Sequence, residues 1–274
     1  DMLSKIYPVK LTTCIDERSA AFLALGISTA TGKAAAVITT SGSAVANLLP
    51  AAIEADRSTQ PILFITADRP KRLKNCGSNQ TVNQEDFLLP ACRSFEQGPP
   101  NGLHELSSEA IDRLAKKCWE KAHQYQGPVH LNLPIEEPLH ASLSEQSRVY
   151  RLCLKDSSHF TKKIDINSQR NHPPVEEVKS LTQLDPSLPG VVVVGPWRGN
   201  SQNLIDFQEV LYKWQMFSGW PIFADPLSGV LSQQPGLISN WELLLGCGLS
   251  IPKDGLQVLR LGPMPASRNL ETWL

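Results

Sequence analysis

The sequence predicts an α/β protein built from two parallel-sheet domains in succession. Three observations carry this expectation. Apolar runs of strand length, such as residues 34–40 (AAAVITT) and 60–66 (QPILFIT), show no polar alternation, which marks strands covered on both faces. Helical patterns separate these runs, as a parallel sheet requires of its crossovers. The rhythm lapses from about residue 141 to 189 and restarts with GVVVVG at Gly190.

In chain order, residues 10–15 (KLTTCI) are rich in β-formers, and ERSAAFLALGISTATG from Glu17 is an Ala/Leu helix stopped by Gly32. Strand 34–40 leads through a Ser/Gly turn into a second Ala/Leu helix, residues 43–55, and strand 60–66 follows. An amphipathic helix over 107–125 and a strand over 128–133 (PVHLNL) complete a first domain of residues 1–140. Residues 141–189 are polar and proline-bearing, which predicts a linker with one short helix at 175–183. The second domain, 190–274, reads as strand 190–195, helix 201–216, strands 220–224 and 256–261, and the start of a helix at 267–274. Both domains are expected to be incomplete, the first at its N-terminal end and the second at its C-terminal end.

The chain has 274 residues, 41% hydrophobic and 19% charged, with a net charge of -1. This is ordinary globular composition and excludes disorder and collagen. Near-neutral charge offers no basic face for nucleic acid or membrane, so a small-molecule ligand is expected. The six cysteines are scattered without a CxxC pair, and no His stands at metal-ligand spacing. They are expected to be reduced thiols of a cytoplasmic protein, with no metal site among them.

In open parallel sheets, ligands bind beyond the C-terminal strand ends. There the first domain offers Asp16-Glu17-Arg18, Thr39-Thr40-Ser41-Gly42-Ser43 and Ala67-Asp68-Arg69-Pro70. A carboxylate, turns with free backbone N–H groups and a guanidinium could orient a heterocycle and an anion. Each has a plainer reading as well. Glu17 complements a helix dipole, the Thr/Ser turn caps a helix, and Arg69 pairs with Asp68 in a loop.

Their order and spacing go further. Residues 17–70 resemble the pyrimidine-binding domain of thiamine-diphosphate enzymes, and the later domain resembles that family's Rossmann-like central domain. DERSAAFLALG (16–26), TTSGSAVANL (39–48), ITADRP (65–70), CGSNQTVNQ (76–84) and GPVHLNLPIEEPL (127–139) are similar to one branch of the family. That branch serves menaquinone and phylloquinone biosynthesis. The turn Ser41-Gly42-Ser43-Ala44, followed by Asn47, departs from the commoner Ser-Gly-Pro-Gly form. GVVVVGPWRG, WPIFADPLSG and RLGPMPASRNLETWL carry the likeness more weakly into the second domain.

The resemblance implies a transferase that decarboxylates 2-oxoglutarate and adds the remaining unit to isochorismate, with thiamine diphosphate and Mg2+ or Mn2+. It implies that Glu17 hydrogen-bonds the pyrimidine N1′, where a carboxyl in a largely apolar pocket shares its proton readily. Thr40 and Ser41 would line the pyrimidine, with Asn47 behind the turn. Arg69, Asn79 and Gln80 would bind substrate carboxylates and hydroxyls. Arg268 stands where the family commonly has lysine, keeping the charge with altered geometry. It also implies a homo-oligomer, dimer or tetramer, with the cofactor between subunits. The family's metal-binding Gly-Asp-Gly start and later Asn are not found here, since Asp225-Pro226 and Asp254-Gly255 have other surroundings. The metal site is therefore expected outside this chain.

Two other readings stand beside this one. Another thiamine-diphosphate enzyme, of acetolactate synthase or oxo-acid decarboxylase type, would lack Asp68-Arg69-Pro70 and Asn79-Gln80. A non-catalytic nucleotide-binding protein would use Gly190–Asn200, which has no GxGxxG. His130 is expected to be a packed core imidazole, and Trp197, Trp214, Trp220 and Trp241 to pack the second domain.

Overall fold

Asp16 sets where the first helix begins: its carboxylate accepts from Ser19 N–H at 2.8 Å, an N-cap for α1 (Glu17–Thr31). Gly32 ends the helix in the left-handed region at φ 65°, donating its N–H to Ser28 O. Only small residues of α1, Ala21, Ala24 and Ser28, are buried. That stripe lets the helix lie close to the sheet, and Ser28 Oγ donates to Pro61 O at 2.7 Å. In the computed structural model of the chain, the described residues are 10–137, 141–156, 184–199, 201–248 and 255–274. They fall in two compact units, the first ending before residue 175.

The first unit holds a four-stranded parallel sheet in the order β1-β2-β4-β3. Its strands are β1 (Ala35–Thr39), β2 (Ile62–Asp68), β3 (Ser94–Gln97) and β4 (Pro128–Pro134). The fully paired β2 and β4 carry the apolar runs, as expected of strands buried on both faces. Ile62 and Phe64 point to one core with α1 and α3 (Leu49–Arg57), while Leu63, Val129 and Leu131 meet Cys118 and Ala122. The latter two lie on α4 (Ser108–Gln124), which is N-capped by Ser107.

Several expectations are corrected. Residues 10–14 form no strand, and Ile15 is fully exposed; a strand needs a ladder partner, and none is present among the described residues. The single helix expected over 43–55 is two, α2 (Ser43–Ala46) and α3, because Pro50 cannot donate the hydrogen bond that would continue the first. Within the expected linker lies α5 (Leu143–Asp156). A reciprocal capping box starts it: Ser142 Oγ accepts from Glu145 N–H at 3.3 Å and Glu145 Oε2 accepts from Ser142 N–H at 3.1 Å. The helix expected at 175–183 lies outside the described residues.

The second unit is a three-stranded parallel sheet, β6-β5-β7, of β5 (Gly190–Val194), β6 (Ile222–Ala224) and β7 (Gln257–Leu261). Val191 and Val193 pack with Phe223, Trp241 and Leu270 on one face. Val192 and Val194 pack with Leu211, Trp220 and Ile222 on the other. Leu211 belongs to α6 (Ser201–Ser218), Trp241 to α7 (Trp241–Gly246) and Leu270 to α8 (Arg268–Trp273), with Ser267 capping α8. The tryptophans pack as expected: the indole N–H of Trp220 donates to Leu188 O and that of Trp241 to Ala224 O, each at 2.9 Å. Trp214 meets Trp220 edge-on, and Trp197 lies against Phe207.

Candidate active site

The C-terminal edge of the first sheet gathers the residues that sequence order singled out. Glu17 opens α1 half-buried, and its Oε2 accepts from the Asn47 side-chain amide at 3.1 Å. Its other carboxylate oxygen has no partner among the described residues. Asn47 does more than support its turn, since it links the end of α2 to this carboxylate. The apolar enclosure expected around Glu17 is not formed by the described residues, which leave it half-exposed.

β1 delivers Thr39 to the same edge, with its hydroxyl buried and unpartnered. Thr40 is exposed, Ser41 is buried, and Gly42 turns the chain at φ 83°, ψ −138° into α2. The loop carrying Asn79 and Gln80 comes over this turn: a side-chain carbon on Gly42 would lie 3.5 Å from Gln80 Cβ. Asn79 and Gln80 are themselves exposed. Arg69 follows β2 with its guanidinium mostly covered, Nε unpartnered and one terminal nitrogen 3.9 Å from Glu137. Arg268 is exposed in the second unit.

Beneath this edge runs a buried polar network that the sequence reading did not assemble. Asp68, at the end of β2, accepts from Lys74 Nζ and from Asn132 Nδ2, both at 2.7 Å. Lys74 also pairs with Glu85. Burial alone would lower the Lys74 ammonium, but its hydrogen bonds to Asp68 and Glu85 outweigh this and hold it above the usual lysine value. Asn132 donates further to Gln97 Oε1, so its Oδ1 is left to accept from Thr66 and Gln84, each at 2.8 Å. Thr66 spends its proton on Asn132 and must accept from His130 Nε2, 2.8 Å away. His130 is therefore the Nε2–H tautomer, and its buried, unpartnered Nδ1 is a bare lone pair. Burial pushes the imidazole down to about 4, so it is a neutral core residue, as expected. One signal was visible: His130 and Asn132 are polar groups inside an apolar strand, and such groups demand partners.

The five cysteines with described side chains are free; that of Cys153 lies outside the described ones. Among the described residues no group of three or more His, Cys, Asp or Glu could hold a metal ion. No described helix is long and apolar enough to cross a membrane.

The family model described as "Thiamine pyrophosphate enzyme, N-terminal TPP binding domain" matches residues 1–87, which include Glu17, the Ser41–Gly42 turn and the Asn79–Gln84 loop. That match and the parallel-sheet fold place the first unit in the class of thiamine-diphosphate enzymes. Within that class, the chain is similar to the 2-succinyl-5-enolpyruvyl-6-hydroxy-3-cyclohexene-1-carboxylate synthases. It is 57% identical over 271 residues to the synthase of Prochlorococcus marinus (strain MIT 9313), covering 97% of this chain and 46% of the relative. With that of Synechococcus sp. (strain CC9902) it shares 53% identity over 277 residues, 100% of this chain and 47% of the relative. The chain spans about half the length of these curated relatives. In structure it is similar to the thiamine diphosphate-dependent 4-hydroxybenzoylformate decarboxylase of Rhodococcus jostii RHA1. The TM-score is 0.51 at 15% identity, over 82% of this chain and 39% of that one, a likeness of fold alone.

Proposed function

We propose that the chain forms the pyrimidine-binding and central domains of a cytoplasmic, homo-oligomeric synthase. On this reading the first domain spans residues 1–140, a linker 141–189 and the central domain 190–274. The enzyme decarboxylates 2-oxoglutarate and adds the remaining four-carbon unit to isochorismate, toward menaquinone or phylloquinone. The observation that carries this is Glu17 at the edge of the parallel sheet, aimed by Asn47, in a chain 52–57% identical to synthases of that name.

The residues present fit the pyrimidine end of thiamine diphosphate. Glu17 keeps one oxygen unpartnered, and the buried Thr39 hydroxyl beside the Thr40–Ser41 turn also lacks a partner. Bound there, thiamine diphosphate supplies the carbon nucleophile for decarboxylation and addition. Glu17 shares a proton with the pyrimidine N1′, while Thr40 and Ser41 shape the turn against the ring. The unpartnered Nε of Arg69 leaves donor capacity for a substrate carboxylate. Asn79 and Gln80 read hydroxyl and carboxylate oxygens without added charge, and Arg268 serves the second substrate charge. Mg2+ or Mn2+ belongs to this reading, with no residue of this chain assigned to it.

The test is Glu17→Gln in the active protein, assayed with 2-oxoglutarate and isochorismate. Turnover should fall by roughly 10²- to 10⁴-fold with the fold intact. Near-normal turnover would overturn the role of Glu17. Pyruvate serving equally well as donor would favour the acetolactate synthase reading.

A further inference from the structure

Gln84 is fully buried, and its amide ties three separate segments together. Its Oε1 accepts from Gly42 N–H at 2.9 Å, and its Nε2 donates to Ala67 O and to Asn132 Oδ1, each at 2.8 Å. Those partners are the turn after β1, the end of β2 that leads into Arg69, and the middle of β4. Because Asn132 gives its own amide protons to Asp68 and Gln97, its oxygen faces Gln84 and no flip of either amide preserves the set. Gly42 is buried, so without Gln84 its N–H would be an unsatisfied donor inside the protein.

From this geometry we infer that Gln84 is a positioning residue. It fixes the Ser41–Gly42 turn to the strand end that carries Arg69, so that the cofactor-facing and substrate-facing edges of the site hold one mutual geometry. The assignment of those edges rests on the function proposed above; the clamp itself does not. Neutral amide chemistry suits the task. A charged group here would sit near Asp68 and Glu85 and perturb the pair they make with Lys74.

The test uses two variants and two readouts. Gln84→Met keeps the length of the side chain and deletes all three bonds. Amide hydrogen exchange at residues 41–43 should then accelerate about tenfold, the value of one buried hydrogen bond, while α4 stays protected. In the active protein the thiamine diphosphate concentration for half-maximal rate and the KM for isochorismate should both rise. Gln84→Glu, kept protonated by its burial, retains the Gly42 acceptor and one donor. It should hold exchange near the wild-type rate and lose activity as the introduced carboxyl ionises with rising pH.

Unchanged exchange at Gly42 in Gln84→Met would overturn the clamp. Faster exchange with unaltered cofactor and substrate constants would overturn the positioning role and leave a structural bond. Wild-type protein without thiamine-diphosphate-dependent activity would instead sink the functional reading, and the exchange result would still decide the clamp. Should Gln84→Met fail to fold, Gln84→Glu decides alone, and a pH profile identical to wild type would count against the proposal.

Discussion

The side-chain amide of Asn47 donates to Glu17 Oε2 at 3.1 Å across 30 residues of chain. Asn47 closes α2, and its backbone N–H is bound to Ser43 O at 3.1 Å. The amide that orients the carboxylate is thus carried by the helix that follows the Ser41–Gly42 turn. A displacement of the turn is a displacement of the carboxylate.

Asn47→Ala should therefore lower turnover about tenfold, the equivalent of one hydrogen bond. Stability should change by less than about 1 kcal/mol, because the pair is exposed. Asn47→Asp should be worse for turnover, since it sets a second carboxylate against Glu17. Steady-state kinetics alongside thermal unfolding checks both, and an Asn47→Ala enzyme with wild-type kcat would disprove the aiming role.

Gly42→Ala isolates backbone strain. The nearest heavy atoms to the added carbon lie 3.5 Å away, ordinary contact distance, but φ 83° is a conformation that side-chain-bearing residues rarely adopt. A loss of about 1–3 kcal/mol is expected. It should appear in urea titrations as a lower midpoint with an unaltered slope.

Lys74→Met leaves the buried Asp68 carboxylate without its cation. Asp68 has no side-chain exposure and Lys74 little, so this is a covered pair. Removing one partner should cost about 3–5 kcal/mol. Asp68→Asn combined with Lys74→Met should recover part of that loss, which denaturation of the wild type and the two variants would measure.

His130 gives the fold a pH dependence of its own. In the unfolded chain its imidazole takes up a proton near 6.5, whereas the folded protein resists protonation until about 4. The unfolded state thus holds more protons between those values. Stability is complete above about pH 6.5 and falls on acidification through that window, by roughly 3 kcal/mol in all. The slope of stability against pH between 4 and 6.5 should flatten in His130→Gln, whatever that variant's absolute stability; equal slopes would show that the imidazole is already protonated in the folded protein.

What the sequence made legible follows from local physics. β2, β4 and β5 announced themselves as apolar runs, α1 through its Ala/Leu pattern and the Gly32 stop, and α4 through its amphipathic period; the caps Asp16, Ser107 and Ser267 came into view only in the structure. β3 was missed because SFEQ has one apolar residue in four. It is a strand by virtue of β4 beside it and of Glu96, which binds Lys117 and Lys121 at 2.8 and 2.7 Å. α7 was missed because WELLLG is too short to show a period. Glu17 and the Ser41 turn could be ordered from spacing. Gln84, Asn132 and Lys74 could not, because their roles exist only once strands distant in sequence lie side by side.

The bond between Gln84 and Asn132 spans 48 residues. The segment matching the thiamine pyrophosphate family model stops at residue 87, short of the strand that completes its turn. Gln84 reaches the Gly42 turn and Ala67 directly, and its third bond, to Asn132, is supplied by β4, which lies between β2 and β3. Local opening that releases β4 would therefore strip Asn132 from Gln84 and leave only β1 and β2 paired, so the anchor of the turn is as stable as the centre of the sheet.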